Sequence, residues 1–345
     1  MPAAENRNDK DGSVSWIADA EKYALVGLGA KAPALPLRQF TAKLWVFVDR
    51  PFKVPQPWPE WIGSNRTKEI EGFNLFLLSK QASETPDILD GENVKLTQRV
   101  WEFYMGLLLA SPFAPSHEPV LLTGSRRNGE LDIRKQQNLD PLVPCIFRPY
   151  PDISLREIEL AARLGSNLEA LVAAPLDGGH WRLNRTLSLY VEARGIAEIL
   201  ERLHQFCRCI DGLILPDPGN SKRQFKSKTE LFIGPRHHDM MGEIYDARSA
   251  SEHLHENRYL ESFDRETRLD LLKKEATIEF IARSALMRIV NKTTLWPHFA
   301  NTTALAKFWA LSEAERRQLW GDTFDTATAL VDFDARLIHD GHLGA

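Results

Sequence analysis

Cysteine is scarce in this chain: Cys145, Cys207 and Cys209 are the only three among 345 residues. That number excludes a disulfide framework, the spacing forms no zinc-like pattern, and the usage fits a reducing cytoplasm. Long apolar runs are missing as well. Met105 to Ala110 is the longest, far short of the roughly 20 residues that span a bilayer, so no membrane association is expected. Met1 to Ser15 is polar and lacks the apolar centre of a signal peptide, so it is expected to be a disordered start. Charge of one sign is not in excess either: 43 Lys and Arg face 47 Asp and Glu, a net charge of −4. A nucleic-acid site would therefore have to be a local basic patch and not a field of the whole molecule.

What is present is an ordinary globular composition, 43% hydrophobic and 26% charged, in a chain long enough for two cores. From 16 to 150 the pattern is mixed and predicts an α+β module. Thr41 to Val48 is rich in β-branched and aromatic residues and reads as a strand ended by Asp49-Arg50-Pro51. Four prolines between Pro51 and Pro59 keep the next segment extended. Leu96 to Leu109 repeats apolar residues at helical spacing up to Ser111-Pro112. Val120 to Thr123 and Glu130 to Ile133 flank Asn128-Gly129, a pair that accepts positive φ and so marks a hairpin.

From 151 to 345 the texture is helical and predicts a bundle with covering helices at its C-terminal end. Ser154 and Glu157 form a capping-box pattern. After Asp177-Gly178-Gly179, the run from Trp181 to Leu215 carries apolar residues mostly three and four apart, the seam of a packed helix, and Pro216-Asp217-Pro218-Gly219 ends it. Met240 to His255 and Leu269 to Val290 read as further helices, and Ser312 with Glu315 as the cap of a smaller one. No internal repeat or low-complexity tract interrupts them.

Within the Met240 to His255 helix stand Arg248 and, five residues on, His253. A guanidinium that keeps its proton and an imidazole that titrates near neutrality suffice for phosphodiester cleavage without a metal. Residues five apart lie about 140° apart around an ideal helix, so the two converge only on a distorted helix or across a two-fold axis. Tyr245 lies one turn before Arg248, positioned to stack a base or the guanidinium. Upstream, Lys222, Arg223, Lys226 and Lys228 surround Phe225, and Arg236 follows: a local basic patch expected to line the same cleft.

Ile244, Tyr245, Arg248, Ser249 and His253, preceded by a helix ending in Cys209-Ile210-Asp211-Gly212-Leu213-Ile214, resemble the HEPN superfamily of all-helical domains, closest to its Apea-like branch. The resemblance covers roughly residues 180 to 295. It implies an R-x4-6-H motif that meets its copy at a homodimer cleft through the motif helix and often cleaves RNA. Other members only bind or regulate a protein or nucleic acid. Arg248 and His253 would be the catalytic pair, with Tyr245, Ser249, Lys222, Arg223, Lys226 and Arg236 on the substrate. Some members carry a tyrosine two residues after the histidine, where this chain has His255. A role in defence or stress, with a regulatory protein partner, is the corresponding expectation.

Other signals are set aside. His237, His238, His253 and His255 invite a metal, yet positions two apart on a helix face away from each other. Gly27-Leu28-Gly29-Ala30 lacks the third glycine of a dinucleotide loop and a convincing strand before it, and Ser125 stands in no nucleophile elbow. No cofactor is expected.

Overall fold

The computed structural model describes residues 16–48, 52–144, 150–174, 180–252, 263–331 and 333–337. The expected disordered start, Asp49-Arg50-Pro51, Cys145, the Asp177-Gly178-Gly179 break, His253 and His255 lie outside the described residues. Two compact units result. One takes residues 1–141 with 152–166, and the other 142–151 with 167–345.

The first unit is a six-stranded, wholly antiparallel sheet: β1 (Glu21–Leu28), β2 (Arg38–Thr41), β3 (Leu44–Val48), β4 (Leu75–Ala82), β5 (Val120–Arg127) and β6 (Glu130–Asn138). They stand in the order β2-β3-β4-β1-β5-β6. Sequence patterning missed the two central strands and the edge strand β2, since the expected Thr41 to Val48 strand begins at the end of β2 and runs through the turn into β3. Seven of the eight β1 residues are buried, because both faces of the sheet are covered, and a strand buried twice loses the alternation that identifies it. A real strand thus runs into Gly27-Leu28-Gly29-Ala30 and ends at Leu28 within it.

The proline-rich segment does not stay extended to Pro59: the short helix α1 (Trp58–Ile62) begins inside it, with Pro59 in the first turn where its missing N–H is not needed, and α2 (Ser64–Glu71) follows. The long α3 (Gly91–Ala110) covers one sheet face, and Asn93 Nδ2 donates to Thr123 Oγ1 at 3.1 Å and to Gly124 O at 3.2 Å. On the opposite face Trp16, Phe47, Phe52 and Phe76 cluster, with Phe47 and Phe76 stacked 4.7 Å apart. The Asn128-Gly129 turn has φ of 52° and 81°, joining β5 to β6 by the two-residue hairpin its sequence predicts. Lys22 is fully buried, and its Nζ lies 2.8 Å from Asp90 and 2.9 Å from Glu92, which ties β1 to the start of α3.

The helix α4 (Leu155–Ala173) begins with the predicted cap, Glu157 N donating to Ser154 Oγ at 3.3 Å and Ser154 N to Glu157 Oε2 at 2.6 Å. Its residues to Ser166 belong with the sheet. There it crosses α3 at a pair of glycines. A Cβ on Gly106 would stand 2.3 Å from Ala161 O, and one on Gly165 2.8 Å from Phe103 Cα, so only hydrogen fits between the backbones.

The second unit is helical: the rest of α4, then α5 (Trp181–Arg194), α6 (Ile199–Ile214), α7 (Ser221–Ile233), α8 (His238–Glu252) and α9 (Arg265–Asn291). The expected long run from Trp181 to Leu215 is two helices, because the chain leaves α5 at Gly195 and re-enters at Ile199 with Glu198 as the cap. Central among them is α6, packed on α5, α8 and α9 through Leu203, Phe206, Ile210 and Leu213. Smaller helices α10 (Trp296–Phe299), α11 (Thr302–Ala310) and α12 (Glu313–Trp320) follow, and the Ser312 capping box with Glu315 is formed as its sequence predicts.

Polar chemistry is buried inside this unit. Arg202 Nε donates to Glu275 Oε1 at 2.7 Å, both side chains being 1% exposed, while its Nη1 donates to Val143 O and Ile196 O. One turn along α9, Glu279 Oε1 accepts from Tyr190 OH at 2.9 Å and from Arg283 Nε at 3.0 Å. Burial pushes the Tyr190 hydroxyl well above its ordinary range, so it stays a donor.

Candidate functional site

The helix α8 presents Tyr245 and Arg248 one turn apart, and the fully buried Ile244, one turn before Arg248, anchors the helix in the core. Arg248 Nη1 donates to Asp211 Oδ2 of α6 at 2.6 Å, with the side chains 11% and 18% exposed. Its guanidinium carbon lies 5.1 Å from the centre of the Tyr245 ring. That ring is in turn 5.4 Å from the buried Phe225 of α7. Carboxylate on one side and aromatic ring on the other therefore fix the guanidinium, a pairing that a lysine would not reproduce. Of the two partners expected for Tyr245, base or guanidinium, the ring takes the guanidinium.

Arg248 borders a groove of about 370 Å³ between α5 and α6. Arg182, Arg185 and Arg208 line it too, so four guanidiniums face a single lining carboxylate, Asp211. Arg185 is half-exposed and pairs with Glu192 at 2.8 Å, while Arg208 donates to the neutral Gln205 at 3.0 Å. Arg182 donates to Gly212 O at 3.4 Å and to Thr302 Oγ1 at 3.2 Å, and burial lowers its proton affinity. In a chain of net charge −4, this is the local cationic surface that an anion requires.

The basic patch expected to line the Arg248 groove does not do so. Lys222, Arg223 and Lys226 line a separate hollow of about 440 Å³ with His238. Lys222 pairs with Asp246 at 2.6 Å, Lys226 with Asp239 at 3.5 Å and Arg236 with Asp325 at 3.4 Å, while Arg223 is exposed. The physical reason is helical: α7 and α8 pack together, and the carboxylates of α8 meet the ammonium groups of α7. Ser249 is half-buried on α8 and is not among the residues lining the groove.

Sequence reasoning also passed over Arg182, Arg185 and Arg208, and it gave Asp211 no role beyond the motif. Asp211 had a signal, a lone carboxylate in the otherwise apolar end of α6. The arginines had none, being spread over two helices. Cys207 and Cys209 of α6 are buried, and burial raises both thiols well above the range of a reactive cysteine. Among the described residues no three His, Cys, Asp or Glu side chains stand within reach of one metal ion, and no helix is long and apolar enough to cross a membrane. Comparison with protein-family models, curated proteins and solved structures returns no match to this chain.

Proposed function

We propose that the helical unit is a metal-independent endoribonuclease of HEPN type, with Arg248 and His253 as its working pair in a homodimer. The observation that carries this reading is the fixed Arg248 guanidinium at the edge of an arginine-lined groove. Arg248 would hold the scissile phosphate and offset charge as it builds in the transition state. His253 would take the proton of the RNA 2′-hydroxyl or return one to the 5′-oxygen, leaving a 2′,3′-cyclic phosphate and a 5′-hydroxyl. Two protomers joined through α8 would bring two such pairs along one cleft, which answers the divergence of positions five apart. Such an activity suits defence or stress, where a regulatory partner holds it in check.

The test is cleavage of a panel of labelled RNAs in EDTA by the natural chain, Arg248→Ala and His253→Ala. Cleavage with cyclic-phosphate ends, lost in both variants, supports the reading; an inactive natural chain, or equal cleavage by all three, sinks it. One observation favours a second reading, a non-catalytic module that binds RNA or a protein: Arg248 already spends its charge on Asp211 at 2.6 Å. Binding without cleavage is the outcome that selects it.

A further inference from the structure

Trp181 opens α5 with 52% of its surface in solvent, and it lines the same groove as the four arginines. A lone exposed indole is unremarkable on a protein surface. Beside guanidiniums in a concave groove it acquires a purpose. A flat ring and a cationic track are the two elements that hold single-stranded nucleic acid, the ring by stacking a base and the cations by tracking the phosphates.

The three groove arginines outside the motif suit that task in different ways. Arg182 is fixed by Gly212 O and Thr302 Oγ1, its guanidinium carbon is 5.1 Å from the Trp181 ring, and its buried Nε has no hydrogen-bond partner among the described residues. Arg185 holds only a half-exposed ion pair with Glu192, which a phosphate exchanges at little cost. Arg208 is held by a neutral amide and keeps its full charge for a ligand. The groove, about 370 Å³, lies at the small end of ligand sites. A duplex keeps its bases stacked inward and offers no face to an indole, whereas an unpaired base does.

We infer that this groove is a subsite for single-stranded RNA, in which one unstacked base lies on Trp181 and the flanking phosphates lie on Arg182, Arg185 and Arg208. The inference rests on the RNA reading above and goes beyond it by naming strandedness and the residues that select it. The motif supplies the chemistry, and this neighbouring surface decides which RNA reaches it.

The experiment uses the full chain carrying His253→Ala, so that bound RNA survives, and follows the anisotropy of a fluorescein-labelled oligouridylate. Trp181→Ala, Trp181→Phe, Arg185→Gln and Arg208→Gln are added singly, each checked by circular dichroism melting. Trp181→Ala should weaken binding about tenfold, and Trp181→Phe should restore most of it. Each arginine variant should reduce the slope of log affinity against log salt by about 0.7. A duplex of equal length should bind more weakly and ignore Trp181. The inference is overturned if all four variants bind as the parent does with the same salt slope, if the parent binds no single strand, or if the duplex binds as tightly and depends equally on Trp181. Failure of the nuclease reading looks different: the groove binds the oligonucleotide through these residues, yet the natural chain never cuts it. Conversely, a natural chain that cleaves while Trp181→Ala and Arg185→Gln leave its KM unchanged overturns the subsite alone.

Discussion

Replacing Asp211 by Asn removes one charge and almost no volume from the pair that holds Arg248. The bond is 2.6 Å long and its side chains are 11% and 18% exposed, too sheltered for the near-zero value of a surface pair. A hydrogen bond to a charged group contributes about 1.5–3 kcal/mol, so Asp211→Asn and Arg248→Gln should each destabilise by about that amount. For a unit of this size, about 2–4 °C of Tm accompanies each kcal/mol, giving a loss of roughly 3–12 °C. The double variant should cost less than the sum of the two single ones, because the second change removes a group that has already lost the 2.6 Å bond. Urea denaturation of the four chains yields the coupling energy. A coupling below about 0.5 kcal/mol would refute the claim that Asp211 fixes the guanidinium. The measurement also bears on function, since activity lost in Arg248→Ala must be read beside its melt.

Three more expectations concern the fold. Arg202→Met removes the buried cation that pairs with Glu275 and should cost about 3–5 kcal/mol, whereas Arg202→Met with Glu275→Leu should recover much of it; equal denaturant midpoints for single and double variants would contradict this. His180 is 2% exposed, neither ring nitrogen has a hydrogen-bond partner among the described residues, and burial lowers its pKa below the ordinary 6.5. The unfolded chain therefore binds a proton that the folded one refuses, and the stability present above pH 6.5 is lost as pH falls further. His180→Asn, which tolerates the residue's φ of 52°, should flatten the fall of Tm between about pH 6.5 and 5, and an unchanged slope would count against it. Gly106→Ala should lower the denaturant midpoint by about 1–3 kcal/mol equivalent despite alanine's better helix propensity, because Ala161 O stands where the methyl would go; a raised midpoint would refute the crossing.

Local chemistry was the legible part of the sequence. The Asn128-Gly129 turn, the Ser154 and Ser312 caps and the apolar stripe of α3 depend on neighbours a few residues away, and each forms as read. β1 and β4 were illegible because the covering on both faces erases alternation. The break at Gly195 was hidden because the apolar spacing continues across it. Of the site, Arg248 and Tyr245 were readable as a spacing on one helix. Arg182, Arg185 and Arg208 were not, since their proximity arises only when α5 packs on α6. The contiguous Lys222 to Lys228 cluster illustrates the converse, for Lys222 and Lys226 are here spent on the carboxylates of a neighbouring helix and Lys228 on the Ile214 and Leu215 carbonyls.

The way the two units share the chain has a consequence for its synthesis. Residues 142–151 belong with the helices although they leave the ribosome before 152–166, which complete the sheet unit. Val143 N donates to Arg194 O, and Val143 O accepts from Arg202. Its partners thus emerge some fifty to sixty residues later, several seconds at the roughly 5–20 residues added per second. During that interval the nascent sheet can close while Val143 waits with its backbone N–H and C=O turned to water. Because neither unit is one uninterrupted stretch of chain, a gene cut at any single codon would orphan part of at least one of them.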